Sequence, residues 1–355
     1  MMKILFYIHH LGNGGAERVT SVLANELNRI GNDVTICMHH QNNNAYVTDE
    51  GVSLELLPQE SSRFKRISNL RAAVKKNAPD VIIAVMPYNY LAIKVAAFGM
   101  GIPIIVSDHT NFHWNANRLL KFIRYYLYRF ATIVTVLSNN DKNFMEHRLH
   151  NMRVMYNPLS FPRLEKGTER RRNILCVGRV SVWEVKGFDL IIRIWGKIAD
   201  RHPDWTLEIA GDGNENDFNY LKSLAEKNGV INRMNFLGFR SDIVDVMSHS
   251  SIFALSSRIE GFPCSLLEAM SQGCASVAFD IHGIINEIIT DGNDGLIVSD
   301  GDLDTYGKKL EQLMDNEELR YTLGHNSIES TKRFEPETIG QEWMNLLTSI
   351  VSEQK

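Results

Sequence analysis

The chain has 355 residues, of which 44% are hydrophobic and 23% charged, so it is an ordinary globular protein long enough for two domains. The net charge of −4 excludes a globally basic nucleic-acid-binding protein, although local basic patches remain possible. The four cysteines form no CxxC pair and no Cys/His array, which favours reduced packing residues in a cytosolic protein. The apolar run after Lys3 is too short for a signal peptide, and proline and lysine interrupt the apolar region 81–106, so no membrane span is predicted.

Short apolar runs alternate with helical patterns through the first half of the chain. Strands are predicted at 4–8, 34–38, 52–57, 81–85, 104–107, 133–137 and 154–156. A helix is predicted over 16–30, with Val19, Leu23 and Leu27 on one face. This alternation indicates a parallel sheet covered by helices on both sides.

The alternation restarts after a linker, which Asn157-Pro158, Pro162 and the polar run 165–172 indicate. Strands are predicted at 174–177, 207–210, 234–237, 252–255, 276–279 and 296–298, and the last helices at 303–314, 317–334 and 336–352. We therefore predict an α/β fold of two Rossmann-like, doubly wound domains facing a central cleft. The domains are predicted at 1–158 and 159–335, with residues 336–355 packing back toward the first.

A glycine-rich segment, His9 to Arg18, follows the first strand and opens the first helix. Gly14 and Gly15 let a phosphate approach backbone N–H groups at a helix N-terminus. The dinucleotide fingerprint is not met, because Glu17 occupies the third glycine position and Met38-His39-His40 stands where an acid is expected. The segment indicates either a phosphate site or a turn without a ligand, and its two leading histidines are either catalytic or structural.

Two carboxylates eight residues apart, Glu260 and Glu268, bracket a loop that turns into a helix. Gly261 permits a close backbone approach, and Pro263 suits the first helical turn. Carboxylates accept hydrogen bonds from hydroxyls, and the N–H groups between them favour an anion. The pattern suits a nucleotide sugar, which has phosphate in the middle and polyols at both ends. The same spacing is also that of a capped surface helix with solvated acids.

The helix after Pro263 has two distinct sides. Leu266, Leu267 and Met270 form the apolar side, while Ser265, Glu268 and Gln272 form the polar side. Gly273 is predicted to end the helix.

Two cations flank the start of the second domain's first helix. Gly178-Arg179 closes a strand, and Lys186-Gly187 precedes the helix over 188–198. Paired cations there would neutralise a diphosphate, although solvated surface charges are the usual fate of such residues.

Asp300-Gly301-Asp302 has the DxD form of some metal-dependent enzymes, but its polar loop before a helix favours a turn and an N-cap.

Taken together and in this order, these segments resemble the retaining glycosyltransferases of family 4, which have the GT-B fold. The resemblance covers nearly the whole chain and rests on Gly14-Gly15, Asn157-Pro158, Arg179 with Lys186-Gly187, and Glu260 with Glu268. The Gly-Gly-Ala-Glu-Arg opening and the segment Ser107 to Asn111 resemble bacterial enzymes that extend lipid-diphosphate-linked glycans.

The resemblance implies roles for individual residues. Arg179 and Lys186 would bind the donor diphosphate and stabilise charge on the leaving nucleotide, and Glu268 would bind the ribose hydroxyls. Glu260 and His109 would lie near the transferred sugar, so the implied catalytic set is Glu260, His109, Arg179 and Lys186. The remaining implied donor-binding positions are Gly261, Phe262, Ser265, Leu266 and Leu267. Pro263 stands where many members carry glycine, which removes one N–H donor, and Gly14 and Gly15 would shape the acceptor or phosphate side.

The implied reaction transfers a hexose or N-acetylhexosamine, with GalNAc the first choice, from a UDP-sugar to a polyprenyl-diphosphate-linked saccharide in O-antigen synthesis. Retention in this family is usually explained by front-face attack, in which the departing phosphate takes the acceptor proton. No protein nucleophile, cofactor or metal is then required. A UDP-sugar 2-epimerase of similar architecture and a non-catalytic membrane-associated sugar-binding protein remain the alternatives.

Two stretches are basic and lack acids. The first holds Arg63, Lys65, Arg66, Arg71, Lys75 and Lys76, and the second, Trp114 to Phe130, holds Arg118, Lys121, Arg124 and Arg129 among aromatics. They suit an anionic membrane surface or a lipid diphosphate, so Arg118, Lys121 and Arg124 are assigned to the acceptor side. The other interpretation is a solvated helix face with an aromatic core side. Nucleic acid is not expected, since no RNA-binding motif is present, and we predict a cytoplasmic protein peripherally bound to the inner face of the membrane.

Overall fold

A computed structural model describes residues 1–12, 14–41, 46–113 and 117–352. The chain divides into two compact units, one of Met1–Ser160 with Arg333–Lys355 and one of Phe161–Lys332. Each unit contains one large parallel sheet, with seven strands in the first and six in the second. Two Rossmann-like sheets are what the alternating sequence pattern predicts, so the predicted fold class is confirmed.

The first unit has the strand order β5-β3-β1-β6-β7-β8-β9, and the short strands β2 and β4 pair separately. Its elements are β1 (Lys3–Tyr7), β2 (His10–Leu11), α1 (Gly15–Arg29), β3 (Asp33–Met38), β4 (His40–Gln41), β5 (Ser53–Leu56), α2 (Arg63–Asn77), β6 (Val81–Val85), α3 (Pro87–Ala96), β7 (Ile104–Ser107), α4 (Arg118–Phe122), β8 (Ile133–Val136), α5 (Asn139–Met145) and β9 (Met152–Val154).

Alternate residues of each strand enter cores on opposite faces of this sheet. Leu5 and Tyr7 belong to one buried cluster, whereas Ile4 and Phe6 belong to another. The second cluster also contains Trp343 from the last helix of the chain. Both faces of the sheet are therefore covered, which is why its central strands are apolar throughout.

The second unit has the strand order β12-β11-β10-β13-β14-β15. Its elements are β10 (Arg171–Val177), α6 (Trp183–Lys186), α7 (Phe188–Ile198), β11 (Thr206–Ala210), α8 (Glu215–Lys227), β12 (Met234–Gly238), α9 (Ile243–Ser248), β13 (Ser250–Leu255), α10 (Cys264–Ser271), β14 (Ala275–Asp280), β15 (Leu296–Ser299), α11 (Leu303–Asp315) and α12 (Glu317–Ser330). A 3₁₀ turn, Thr331–Phe334, and α13, Pro336–Ser352, follow and belong to the first unit from Arg333 onward.

The observed elements differ from the predicted ones at a few of their boundaries. The strand expected at 154–156 lies at Met152–Val154, where it pairs with β8. The helix expected over 317–334 is α-helical only to Ser330 and ends as the 3₁₀ turn. At the DxD sequence, Gly301 has a φ of +77° and Asp302 accepts the Thr305 N–H, so the predicted turn and N-cap are confirmed.

The second basic stretch changes helix type within a few residues, and Trp114 lies outside the described part of it. After α4, the chain forms a π-helical turn at Ile123–Leu127 and a 3₁₀ turn at Tyr128–Phe130. Phe122, Tyr126 and Phe130 are exposed, whereas Arg124 is buried. Tyr128 is buried in the core and Tyr125 packs against it, so the aromatic residues of this stretch divide between a core side and an exposed face.

Arg124 has a structural position, which weighs against its predicted role on the acceptor side. It is 3% exposed, its Nε lies 3.2 Å from Asp108 Oδ2, and its guanidinium stacks 3.9 Å from the Phe112 ring centroid. Tyr128 also donates a hydrogen bond to Asp108, at 2.8 Å. Because Asp108 and Arg124 compensate each other inside the first unit, neither is available to a membrane or an acceptor.

We expect Arg124→Met to lower the free energy of unfolding by about 3–5 kcal/mol, because it leaves the buried Asp108 carboxylate without its cation. Arg118→Met removes an exposed cation from the same segment and should change stability by less than about 0.5 kcal/mol. Urea denaturation of both variants measures the difference. Equal stability of the two variants would contradict the structural role of Arg124.

Candidate functional site

A candidate site lies in the second unit, at the carboxyl ends of β10, β11 and β13. The chain passes from β10 to β11 on one side, and β13 pairs with β10 on the other. Such a reversal of strand order opens a crevice in which ligands of α/β sheets bind. The loops that follow these strands carry Gly178-Arg179, Gly211-Asp212-Gly213 and the segment from Ser256 to Pro263.

The Lys186-Gly187 turn is held against the loop after β13. Gly187 has a φ of +65°, and a Cβ atom there would lie 1.8 Å from the Ser256 carbonyl oxygen. Only glycine allows that conformation together with that approach. Ser256 Oγ in turn donates to the Gly187 carbonyl at 2.9 Å. The glycine therefore fixes the position of the neighbouring lysine.

Lys186 contacts Glu260, so the Lys186-Gly187 turn and the loop before α10 meet at this ion pair. Its Nζ lies 2.8 Å from Glu260 Oε1, which also accepts a hydrogen bond from Ser257 Oγ at 2.6 Å. The Lys186 side chain passes over Gly178, where a Cβ atom would lie 3.1 Å from its Cδ. Glu260 is 7% exposed, while the Lys186 side chain is 21% exposed. The result is a carboxylate held in place by two donors beside a more accessible ammonium group.

Arg179 lies next to this pair but is not engaged by it. The residue is exposed, and its side chain makes no hydrogen bond or ion pair with any residue that the structure describes. A guanidinium in that state keeps all of its donors for a ligand. Arg179 and Lys186, with Gly178 between them, form the cationic part of the site.

An ion pair that the sequence analysis did not identify anchors the loop before Glu260. Arg258 donates to Asp189 through two nitrogens, at 2.7 and 2.8 Å, and Asp189 is the second residue of α7. Bidentate pairs of this kind fix orientation as well as position. Arg258 and Asp189 are 69 residues apart, and the only signal in the sequence is an acid in the first turn of a helix.

Helix α10 is more buried than its sequence pattern predicts. Leu266 and Leu267 are 0% and 1% exposed, so their side chains belong to the core, and their assignment as donor-binding residues stays a prediction. Gln272 lies on no open polar face, because it is buried and donates to the Pro162 carbonyl at 2.9 Å. Gly273 ends the helix with a φ of +75°, as predicted.

The start of α10 also differs from expectation. Pro263 is the N-cap residue rather than part of the first turn, and the Cys264 and Leu266 amides donate to the Phe262 and Pro263 carbonyls. These two N–H groups are therefore not open to an anion. Glu268 is 4% exposed in the middle of the helix. Of the other predicted donor residues, Phe262 is buried, whereas Gly261 and Ser265 are half-buried.

In the first unit, Gly14 makes room for a carboxylate of the chain itself. A Cβ atom on Gly14 would lie 2.1 Å from Glu17 Oε2, and Glu17 Oε1 lies 3.2 Å from His10 Nε2. A negative charge in the first turn of α1 already compensates the helix N-terminus. A phosphate at Gly14 would have to displace it, which weighs against the predicted phosphate role, whereas Gly15 has open space around it.

His109 lies at the carboxyl end of β7 and faces a small cavity lined also by Trp343 and Asn157. Its Nε2 is 3.0 Å from Ser107 Oγ, and its buried Nδ1 has no partner among the described residues. Desolvation lowers the pKa of His109 to about 4, so the imidazole is neutral at neutral pH. A neutral ring suits hydrogen bonding to a hydroxyl better than binding a phosphate.

Two absences concern the described residues alone. No group of three or more His, Cys, Asp and Glu side chains among them is arranged to hold a metal ion. Of the helices described, none combines the length and the apolar character that a membrane crossing needs.

Two family models match the chain. Residues 13–160 match the Glycosyltransferase Family 4 model, and residues 163–330 match Glycosyl transferases group 1. The chain is 28% identical to a Campylobacter jejuni enzyme, GalNAc-α-(1→4)-GalNAc-α-(1→3)-diNAcBac-PP-undecaprenol α-1,4-N-acetyl-D-galactosaminyltransferase, with 99% of each chain covered. It is 26% identical to the amylovoran biosynthesis glycosyltransferase AmsD of Erwinia amylovora, over 98% of this chain and all of that protein.

A solved structure supports the same fold. Anabaena Alr3699/HepE, crystallised with UDP and glucose, superposes with a TM-score of 0.81 at 20% identity, over 98% of this chain and all of that one. The two matching family models and this shared architecture agree with the parallel sheets described above. The chain belongs to the GT-B glycosyltransferases of family 4.

Proposed function

We propose that this glycosyltransferase transfers an N-acetylhexosamine, with GalNAc the first choice, from a UDP-sugar to a polyprenyl-diphosphate-linked saccharide and retains the anomeric configuration. The observation that carries the proposal is the cluster of Arg179, Lys186 and Glu260 at the carboxyl ends of β10 and β13. It places cations and a hydroxyl acceptor side by side, as a nucleoside-diphosphate sugar requires.

The cations would bind the donor diphosphate. Arg179 has its donors available, and Lys186 would exchange part of its contact with Glu260 for phosphate oxygens. Developing charge on the leaving UDP is then stabilised by groups already in position, the type of effect that contributes most to many enzymatic rates. Since two cations serve this purpose, we propose that neither a metal ion nor a cofactor is required.

The carboxylates would bind the two polyol ends. Glu260 is held by Lys186 and Ser257 and is suited to accept a hydrogen bond from a sugar hydroxyl. Glu268 would accept from the ribose, and His109, neutral at working pH, would contact the transferred sugar. Because Glu260 is already paired, we assign it no nucleophilic role, and the departing phosphate would take the acceptor proton.

The acceptor class rests on relatives. The Campylobacter enzyme acts on an undecaprenol-diphosphate-linked saccharide and transfers GalNAc, and AmsD belongs to amylovoran biosynthesis. Both relatives match this chain over almost its whole length. We therefore propose a role in assembling an O-antigen or a similar surface polysaccharide.

The exposed face of residues 118–130 would dock the enzyme on the cytoplasmic leaflet. Leu119, Phe122, Tyr126 and Phe130 are each about half exposed, between the cations Arg118, Lys121 and Arg129. Aromatic and basic side chains on one face suit an anionic interface, and each cation contributes about 1 kcal/mol there. Replacing all three cations by alanine should reduce co-sedimentation with phosphatidylglycerol vesicles at least about tenfold. Unchanged sedimentation would contradict this docking face.

We expect Arg179→Ala to weaken UDP binding at least about tenfold, because its guanidinium is available to bind a phosphate. Stability should not fall, because the side chain has no hydrogen-bond or ion-pair partner within its unit. Lys222→Ala removes an exposed cation from α8 and is the matched control. Calorimetric titration with UDP measures both affinities. Equal affinity of the two variants would remove Arg179 from the donor site.

The decisive experiment incubates a synthetic lipid-diphosphate-linked saccharide with a panel of UDP-sugars and examines the product by mass spectrometry and NMR. An added sugar with an α-linkage supports the proposal, and a β-linkage contradicts retention. A UDP-sugar 2-epimerase would instead convert the donor without an acceptor. A non-catalytic sugar-binding protein would leave both the donor and the acceptor unchanged.

A further inference from the structure

Four histidines meet at the carboxyl ends of β1 and β3 in the first unit. Parallel pairing sets Tyr7 opposite Cys37 and continues in the short strands, where His10 lies opposite His40. The His9 ring centroid is 5.3 Å from that of His39 and 5.5 Å from that of His40. Register alone thus brings together two His-His pairs that are 30 residues apart in the sequence.

Three of the histidines line a cavity that is also lined by a cation, Arg66. The cavity measures about 360 Å³ and is lined by His9, His39, His40, Gln59, Glu60, Ser61 and Arg66. Tyr7 Oη lies 3.1 Å from His39 Nε2, and Gln59 Nε2 lies 2.9 Å from His40 Nδ1. These contacts fix two of the rings, while Arg66 reaches the cavity from α2.

Charged and titratable groups from several elements surround the cavity. They are His9, His10, His39 and His40 from the strand ends, Tyr7 and Cys37 behind them, Glu17 from α1, Glu60 from the loop and Arg66 from α2. Glu17 pairs with His10, and Glu60 lies 3.8 Å from Lys65. Burial, the neighbouring imidazoles and Arg66 lower the pKa values of His9 and His39.

The group is better suited to an anion than to a metal ion. Among the residues described, no three His, Cys, Asp or Glu side chains are arranged as metal ligands. A guanidinium beside the rings would also repel a cation. We propose that this cavity binds a phosphoryl oxyanion, with Arg66 as the fixed cation and the imidazoles of His9, His39 and His40 as hydrogen-bond donors. This site is separate from the Arg179–Lys186 cations and does not depend on the proposed donor chemistry.

Binding at this site is linked to proton uptake. A bound anion favours the charged imidazole and raises the pKa values of His9 and His39 from their lowered positions. The complex therefore holds more protons than the free protein near neutral pH, and the affinity rises as the pH falls from 8 to 6. A site that relied on Arg66 alone would show no such dependence beyond that of the anion itself.

The test is a titration of the full chain with inorganic pyrophosphate, followed by the imidazole NMR signals of His9, His39 and His40. Histidine-to-asparagine variants assign the signals, which report this cavity and not the donor cations. We expect all three signals to shift, the pKa values of His9 and His39 to rise, and Arg66→Gln to weaken binding at least about tenfold. Arg63→Gln, an exposed cation on the same helix, and His150→Asn, an exposed histidine elsewhere in the unit, are matched controls.

Further arms of the experiment identify the source of the oxyanion. A short-chain prenyl diphosphate, phosphatidylglycerol vesicles and inorganic phosphate are titrated separately, and where pyrophosphate shifts the signals, the probe that shifts them at the lowest concentration identifies the source. The proposal is overturned if pyrophosphate leaves the three signals unmoved. It is also overturned if Arg66→Gln and His9→Asn bind pyrophosphate as tightly as their controls.

Discussion

Replacing Glu260 by glutamine is expected to lower the turnover number by about 10²–10³ while leaving the affinity for UDP almost unchanged. The amide keeps the shape of the side chain and one oxygen for Ser257 and Lys186, so the loop should hold its position. What is lost is the negative charge that accepts a sugar hydroxyl. A defect confined to turnover would therefore identify Glu260 as a sugar-side residue.

The measurement pairs UDP release in the presence of acceptor with calorimetric titration of UDP. Glu215→Gln, an exposed carboxylate in the first turn of α8, is the matched control. Glu260→Ala should abolish transfer but still bind UDP, because Lys186 then loses its carboxylate partner and is more available to phosphate. If either Glu260 variant lost UDP binding as well, the residue would belong to the diphosphate side.

The repeating strand and helix pattern was sufficient to predict both sheets. The strands β6 and β7 are buried on both faces. Their sequences are uninterrupted apolar runs, and such runs predict a strand that is covered on both sides. The site was only partly predictable, because Arg179, Lys186-Gly187 and Glu260 lie in loops whose positions depend on glycine geometry. Their grouping was inferred from a family resemblance, and the Lys186–Glu260 contact is consistent with that grouping.

The sequence pattern did not predict contacts between residues that lie far apart in the chain. Arg124 resembles a surface cation in the sequence, because nothing near it indicates that a π-helical turn directs it toward Asp108. Leu266 and Leu267 were assigned to the donor site from the family resemblance, and the sequence pattern did not show that their side chains are buried. The histidine cavity also depends on strand register, which brings His9 beside His39.

Gly187→Ala is expected to remove donor binding and to destabilise the second unit by on the order of 3 kcal/mol, more than its backbone angle alone requires. A left-handed φ costs a non-glycine residue about 1–2 kcal/mol. The alanine Cβ would in addition lie 1.8 Å from the Ser256 carbonyl oxygen, so the backbone of one loop has to move. That movement separates Lys186 from Glu260.

Gly229→Ala separates these two effects. Gly229 has a φ of +73° in the same unit, and a Cβ atom there meets nothing within 4 Å. The Gly229→Ala variant should lose only the stability that a left-handed φ costs a non-glycine residue, and it should keep full UDP affinity. Urea denaturation measures the stability, and calorimetric titration measures the affinity. If the two alanine variants were equally stable and bound UDP equally well, close packing at Gly187 would not be what positions Lys186. A larger loss at Gly187, with UDP binding lost in parallel, ties the glycine of the motif to the placement of its lysine.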